Sequence, residues 1–168
     1  MHRHWLLLSF VGGGLLLLAG CQSADSAPIE PTAAPTPIEP SPAPGRRGNA
    51  DVLHVKAAQA SDGTWTFHVT VQHPDTGWED YADGWDVVTP DGTILKPDPD
   101  SPFTRLLLHP HVDEQPFTRS QSGIIIPQGI TQVRVQAHDL VDGYGGRQIW
   151  VDLTVDSGPD FEVQRNGG

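Results

Sequence analysis

Cysteine and basic side chains are both scarce in this chain of 168 residues. Cys21 is its one cysteine, so no disulfide can form within a single copy and the fold must be held by packing. The 10 Lys and Arg residues are outnumbered by 21 Asp and Glu residues, which gives a formal net charge of −11. Nucleic-acid binding needs a basic surface that neutralises phosphates. We therefore expect no nucleic acid among the partners.

The sequence also lacks an apolar run of the length that a typical membrane span requires. Residues 5–19 are mostly apolar, but a spanning helix needs about 20 such residues. Gly12, Gly13 and Gly14 also interrupt the run, which follows a basic segment at residues 2–4. This order is typical of a cleaved secretory signal. The sequence predicts a signal peptide over residues 1–20.

A short motif ends this signal. Leu18, Ala19, Gly20 and Cys21 read LAGC, which resembles the lipobox of bacterial lipoproteins. The resemblance implies cleavage before Cys21, a diacylglyceryl thioether on its sulfur and an acyl group on its new amino terminus. Because several acyl chains hold a protein on a membrane durably, we expect an exported protein that is lipid-anchored to the cell membrane or outer membrane. It would face the periplasm or the cell exterior. A cleaved signal that leaves a free cysteine is the alternative.

The rest of the chain divides by composition. Residues 21–48 contain seven prolines, and their few large apolar groups favour a disordered, extended stalk behind the lipidated cysteine. Residues 49–155 have the length of a single domain with one core. The Gly, Asp and Asn content of residues 156–168 predicts a flexible C-terminal tail.

The domain itself has the period-two pattern of strands. Apolar residues alternate with polar ones most clearly in the run Trp65, Phe67, Val69 and Val71, and a first strand is predicted with Leu53, Val55 and Ala57 on one face. Turn residues separate such runs about every ten residues. The pattern predicts an all-β fold, an antiparallel β-sandwich of seven to eight strands. Further strands are expected at residues 81–88, 93–95, 104–108, 123–126, 131–138 and 147–155.

Trp85 is placed near the middle of the predicted third strand, with Trp85 and Val87 directed inward. A core tryptophan on this strand is similar to that of immunoglobulin-like and fibronectin-III-like modules. The resemblance implies an immunoglobulin-like sandwich. A small jelly roll is the alternative.

The passage from His109 to Arg119 reads HPHVDEQPFTR. It resembles a signature of a group of exported bacterial domains, and this resemblance implies a shared fold but brings no activity with it. If residues 109–113 are extended, His109, His111 and Asp113 project to one side about 6 to 7 Å apart. His138 or His73 could complete a zinc or copper site.

The alternative interpretation of this passage is an irregular loop. Pro110 and Pro116 would stiffen it, and Arg119 could pair with Asp113 or Glu114. On this interpretation the protein has no cofactor, and the polar side chains satisfy the backbone of the loop.

Catalysis has little support in the sequence. No G-x-S-x-G or comparable nucleophile turn occurs, and we expect no enzyme. Trp78, Tyr81 and Tyr144 lie in predicted loops, where aromatic side chains favour contact with a protein or glycan. The expected function is a noncatalytic binding or structural module of the cell envelope. The alternative is a transition-metal-binding envelope lipoprotein that uses His109 and His111.

Overall fold

The computed structural model describes residues 48–166. The predicted signal, Cys21 and almost all of the predicted stalk lie outside the described residues. Within the described range, no helix is long and apolar enough to cross a bilayer. The fold there is all-β, as predicted. Its strands are β1 (Asp51–Gln59), β2 (Trp65–Gln72), β3 (Ala82–Val88), β4 (Arg105–Leu106), β5 (Phe117–Ile124), β6 (Gln132–Asp139), β7 (Ile149–Asp152), β8 (Ser157–Gly158) and β9 (Phe161–Gln164).

These nine strands form two sheets. One has the order β5-β2-β1-β9-β8 and the other has the order β4-β3-β6-β7. Buried side chains from both sheets share one apolar cluster, so the architecture is a β-sandwich. The predicted count of seven to eight strands is too low. The prediction of a wholly antiparallel fold is also wrong at one place, because β9 runs parallel to β1.

The interior follows the alternation of β2. Trp65, Phe67, Val69 and Val71 are all buried, as predicted, and the residues between them are not. Burying each large apolar side chain contributes roughly 1.5 to 3 kcal/mol. The repeat of four such residues therefore decides which face of β2 turns inward.

On β1 the predicted inward face is only partly correct. Val55 and Ala57 are fully buried, but Val52 replaces Leu53 as the third inward residue. A bulge between Val52 and His54 explains the change. One extra residue in a strand shifts the alternation by one position.

On β3 both faces are covered. Trp85 and Val87 are inward and fully buried, as predicted. Asp86 points the other way and is also fully buried, because Thr104 N donates a hydrogen bond to its Oδ1 at 2.7 Å and the Tyr144 hydroxyl donates to its Oδ2. The segment around Thr104 and Tyr144 therefore closes the outer face of this strand.

The C-terminal segment differs most clearly from its prediction. Residues 156–168 were expected to form a flexible tail, but β8 and β9 lie within them. Phe161 and Val163 are buried in the core and stand beside Val55 and Ala57 of β1. Two alternating apolar residues are enough for a short strand when an unpaired strand edge is available. The domain therefore extends beyond the predicted boundary at residue 155.

Candidate functional site

Three connections meet at one end of the sandwich, and we call this region the loop end. They are the β2–β3 connection (residues 73–81), the β4–β5 connection (107–116) and the β6–β7 connection (140–148). Three of their polar side chains, those of His73, Asp75 and His111, are buried. The loop end therefore has a polar interior of its own, next to the apolar core.

Asp75 joins two of these connections. Its side chain is fully buried, and its Oδ1 accepts a hydrogen bond from Ala82 N at 3.1 Å and lies 2.6 Å from His73 Nδ1. Its Oδ2 accepts from His111 N at 2.6 Å. Gln115 adds a second link, since its Oε1 accepts from His73 N at 3.0 Å and its Nε2 donates to the His111 carbonyl at 3.3 Å. Each of these bonds replaces one to water, as burial requires.

The extended conformation on which the metal hypothesis depended is absent at residues 109–113. These residues form no strand, and a backbone bond from Glu114 N to the His111 carbonyl closes a turn there. The predicted irregular loop describes this segment better. Arg119 pairs with Glu114 at 3.0 Å, which confirms that Arg119 binds one of the two neighbouring acids. This hydrogen bond lowers the pKa of Glu114 below its usual value.

His111 is buried under its neighbours. Its ring stacks on Phe117 with centroids 3.8 Å apart, and the His109 ring lies 4.5 Å away. Among residues 48–166, neither ring nitrogen of His111 has a hydrogen-bond partner. Burial, followed by the positive charge of Arg119, holds the pKa of His111 below its usual value. His111 is therefore a packed ring whose surroundings disfavour the protonated form.

The predicted metal ligands do not come together. Asp113 is exposed in the turn, and His138 lies in a separate contact, with its Nδ1 2.5 Å from Asp83 Oδ1. Within residues 48–166, His109, His111, Asp113 and His138 do not form a group whose ligand atoms lie within 4.8 Å of one another. The geometry that motivated this set depended on an extended segment that the structure does not have.

A different group does come together. His73, Asp80 and Asp139 each offer a ligand atom within 4.8 Å of the other two. His73 was considered from the sequence as an additional ligand, whereas Asp80 and Asp139 were missed. Their places in the chain could have indicated them. His73 follows β2, Asp80 precedes β3 and Asp139 ends β6. The register of β3 with β6 then places Asp139 near Asp80, since Ala82 of β3 pairs with Asp139.

The predicted aromatic contact residues divide into two places. Trp78 is 67% exposed, and its ring meets Tyr81 edge-on with centroids 5.9 Å apart. Leu140 N donates to the Tyr81 carbonyl at 3.1 Å, which brings exposed Leu140 and Val141 beside this pair. We call Trp78, Tyr81, Leu140 and Val141 the loop-end surface. An apolar patch of this kind is typical of a contact site.

Tyr144 belongs elsewhere. Its hydroxyl donates to Asp86, and its ring lies edge-on against His138 with centroids 4.7 Å apart. Burial, followed by the hydrogen bond to Asp86, raises the pKa of Tyr144 above its usual value. The ring therefore covers β3 and β6 and does not extend the loop-end surface.

The comparisons with known proteins give one relative. A protein of Halomicrobium mukohataei (strain ATCC 700874 / DSM 12286 / JCM 9738 / NCIMB 13541) named "Putative lipoprotein" is 40% identical over 116 residues, which cover 69% of this chain and 52% of the relative. The chain thus spans about half the length of that protein. No protein-family model matches the chain. No solved structure matches it either.

Proposed function

We propose that this protein is an exported lipoprotein of the cell envelope whose β-sandwich is a noncatalytic binding module. The observation that carries the anchoring is the name of the Halomicrobium mukohataei relative, together with the LAGC motif that ends at Cys21. The acyl chains would attach to Cys21, and the proline-rich stalk would separate the domain from the lipid surface. The full chain has a net charge of −11, and this charge also favours a position away from anionic headgroups.

The binding role is supported by the loop-end surface. Its side chains are 67% exposed at Trp78, 49% at Leu140 and 63% at Val141. Aromatic residues are enriched in protein interfaces, and aliphatic side chains beside them favour a protein partner over a glycan. We therefore propose an envelope protein as the partner.

An immunoglobulin-like assignment is supported by the topology. β2 pairs with β5 and β3 pairs with β6, so consecutive strands cross between the two sheets as they do in Greek-key sandwiches. Trp85 on the third strand is fully buried, which is the position that the resemblance implied. We favour this assignment over a jelly roll.

The noncatalytic part of the proposal has its own support. The buried carboxylate of Asp75 is engaged by Ala82 N, His111 N and His73. A general base needs an oxygen that can reach a substrate proton, and this carboxylate holds the loop end together instead.

Metal binding at His109 and His111 is the second candidate. It is favoured by the two ring nitrogens of His111 that have no partner. It is disfavoured by the Phe117 ring stacked on His111 and by the nearby charge of Arg119, which repels a cation. We therefore place it behind the binding module.

Lipid anchoring is tested by replacing the acylated atom. Cells that express the protein are labelled with a palmitate analogue and extracted by detergent phase partition. We expect the wild-type protein to be labelled and to enter the detergent phase, and Cys21→Ser to lose both properties. Label absent from the wild-type protein, or equal membrane association of both forms, contradicts the proposal.

The binding surface is tested by photocrosslinking in living cells. A photoreactive amino acid is placed at Trp78, and the control is the same residue at Trp150, which is 50% exposed on β7. We expect a defined protein adduct from position 78 that position 150 does not give. Identical adducts from both positions, or no adduct from either, would contradict the proposal that the loop-end surface binds a protein. A carbohydrate adduct contradicts the choice of a protein partner.

A further inference from the structure

We propose that His73, Asp80 and Asp139 form a binding site for a divalent transition-metal ion of the zinc class. The site lies at the loop end and uses none of the residues from which a metal site was predicted in the HPHVDEQPFTR passage. It is independent of the proposed lipid anchoring.

The orientation of His73 is fixed by Asp75. His73 Nδ1 lies 2.6 Å from Asp75 Oδ1, and both side chains are fully buried. A carboxylate only accepts hydrogen bonds, so Nδ1 carries a proton and donates it. A neutral imidazole has one such proton, which leaves a lone pair on Nε2. Histidines that bind zinc are commonly oriented by a carboxylate in this way.

Nε2 of His73 faces acceptors only. The Gly48 carbonyl oxygen lies 2.7 Å from it and Asp80 Oδ1 lies 3.6 Å from it. The 2.7 Å approach to the Gly48 oxygen is a hydrogen bond when Nε2 carries a proton, and it is repulsive when Nε2 holds a bare lone pair. A cation among them, either a metal ion or a second proton on His73, removes this repulsion.

The two carboxylates also lack partners. Asp80 Oδ1 and Asp139 Oδ2 are buried atoms without a hydrogen bond to any part of the chain that the structure describes. Asp139 is fully buried, and its Oδ1 accepts from Val141 N at 3.0 Å and Asp142 N at 2.6 Å, so Oδ2 is the oxygen left over. An unpaired buried carboxylate is costly. These two oxygens therefore suit a cation.

No Lys or Arg side chain of the described residues pairs with this group. The ion pairs found within residues 48–166 join Asp75 and Asp80 only to histidines, and they include none for Asp139. The local charge therefore depends on a bound cation or on protonation of the group. A divalent ion supplies two of the missing positive charges at one point.

The donor set indicates the class of metal. One imidazole nitrogen and two carboxylate oxygens are ligands that zinc binds, whereas calcium takes six to eight oxygens. The 3.6 Å between Nε2 and Asp80 Oδ1 is close to the roughly 3.4 Å between two ligands that are each about 2.1 Å from a tetrahedral ion. The Gly48 oxygen lies 2.7 Å from Nε2, on the side where an ion would bind, so it must move away when the ion binds. Water then takes the fourth position.

The site is joined to the loop-end surface. Asp80 lies between Trp78 and Tyr81 in the chain, and Asp139 directly precedes Leu140. A bound ion would therefore hold the two connections that carry this surface in one arrangement. Its removal would loosen them without touching the apolar core.

The test is isothermal titration of the full-length chain, untagged, stripped with a chelator and carrying Cys21→Ser so that no thiol competes. Zn²⁺ is titrated into this protein and into Asp80→Asn and Asp139→Asn forms of it. The matched control is Asp83→Asn, because Asp83 also pairs with a histidine but lies outside the group. Ca²⁺ is titrated in the same way as a second metal. A His109→Gln, His111→Gln double variant is the second control.

We expect one zinc ion per chain with a micromolar dissociation constant or lower. Asp80→Asn and Asp139→Asn should each weaken binding by at least about tenfold, while Asp83→Asn and the double histidine variant should leave it unchanged. Asp80 is part-exposed and its Oδ1 makes no hydrogen bond, so its replacement should preserve the fold even if Asp139→Asn does not.

Three results would overturn the proposal. Absence of zinc heat at millimolar metal would mean that the group does not bind a zinc ion. Zinc binding that survives Asp80→Asn but is lost in the double histidine variant would assign the metal to His109 and His111. Saturation by Ca²⁺ without a response to Zn²⁺ would contradict the metal class.

Discussion

The domain has two interiors, and they are built differently. Between the sheets, the largest buried groups are apolar, such as Trp85, Phe67 and Ile124, and they lie side by side over the length of the strands. At the loop end, the buried groups are His73, Asp75, His111 and Asp139. Apolar packing stabilises a fold in proportion to the area buried, whereas buried charges are weak contributors to stability and strong candidates for binding. The contrast suggests that one interior maintains the fold and the other provides the function.

The largest effect is expected in the apolar interior. Trp85→Ala should lower the free energy of unfolding by about 3 to 5 kcal/mol, because it removes a fully buried indole. Ile125→Ala, at a position that is 72% exposed, is the control and should cost less than about 1 kcal/mol. Urea unfolding followed by circular dichroism measures both. Equal losses would mean that the core does not depend on Trp85.

The C-terminal strand should show the same kind of dependence. Phe161→Ala is expected to lower the free energy of unfolding by about 3 kcal/mol, because the ring packs into the core between β1 and β8. Glu162→Ala, on the exposed face of β9, should have little effect. Urea unfolding of the two variants compares them. A negligible loss from Phe161→Ala would restore the flexible tail that the composition predicted.

Asp75 is the member of the polar interior that we expect to matter for stability. Asp75→Ala leaves Ala82 N and His111 N without their side-chain acceptor, and each orphaned donor costs roughly 1 to 3 kcal/mol. We expect a total loss of about 2 to 4 kcal/mol by urea unfolding. Asp113→Ala, in the exposed turn, is the control and should be neutral. Loss of less than about 1 kcal/mol in Asp75→Ala would mean that water replaces the carboxylate.

The smallest expected effect is a pH dependence. The pKa of His111 is lowered in the folded state by burial, by Arg119 and by His109, while Asp75 and Glu114 oppose the shift. The unfolded chain therefore binds a proton more readily, and this part of the stability is present above a pH of about 6.5 and is lost as the pH falls below it. Urea midpoints between about pH 7.5 and pH 5 should fall less steeply in His111→Gln than in wild type. His68→Gln, on the outward face of β2, is the control, and an identical slope in all three proteins would contradict the assignment.

The apolar interior was largely readable from the sequence. The period-two run of β2 predicted its inward face correctly, because a strand with four large apolar residues at alternate positions has one favourable orientation. The bulge in β1 could not be predicted, since the sequence around Leu53 is compatible with either Val52 or Leu53 facing inward. β9 was missed because two apolar residues among Gly, Asp and Asn give a weak local signal, and only pairing with β1 makes them a strand.

The loop end was much less predictable. Its residues come from three connections, and their distances depend on the register of β3 with β6, which the sequence does not show. The HPHVDEQPFTR passage drew attention to the correct end of the molecule, because His111 and Gln115 lie there. The ligand set inferred from it required an extended segment, and the structure has a turn there instead.

The most direct test of the two-interior account is the free energy of unfolding of Asp139→Asn in the presence of EDTA. The asparagine can still accept the hydrogen bonds from Val141 N and Asp142 N, while it removes a buried charge that has no partner. We therefore predict that the variant without metal is at least as stable as the wild-type protein without metal. A loss of more than about 2 kcal/mol would show that Asp139 stabilises the fold and would contradict the separation of the two interiors.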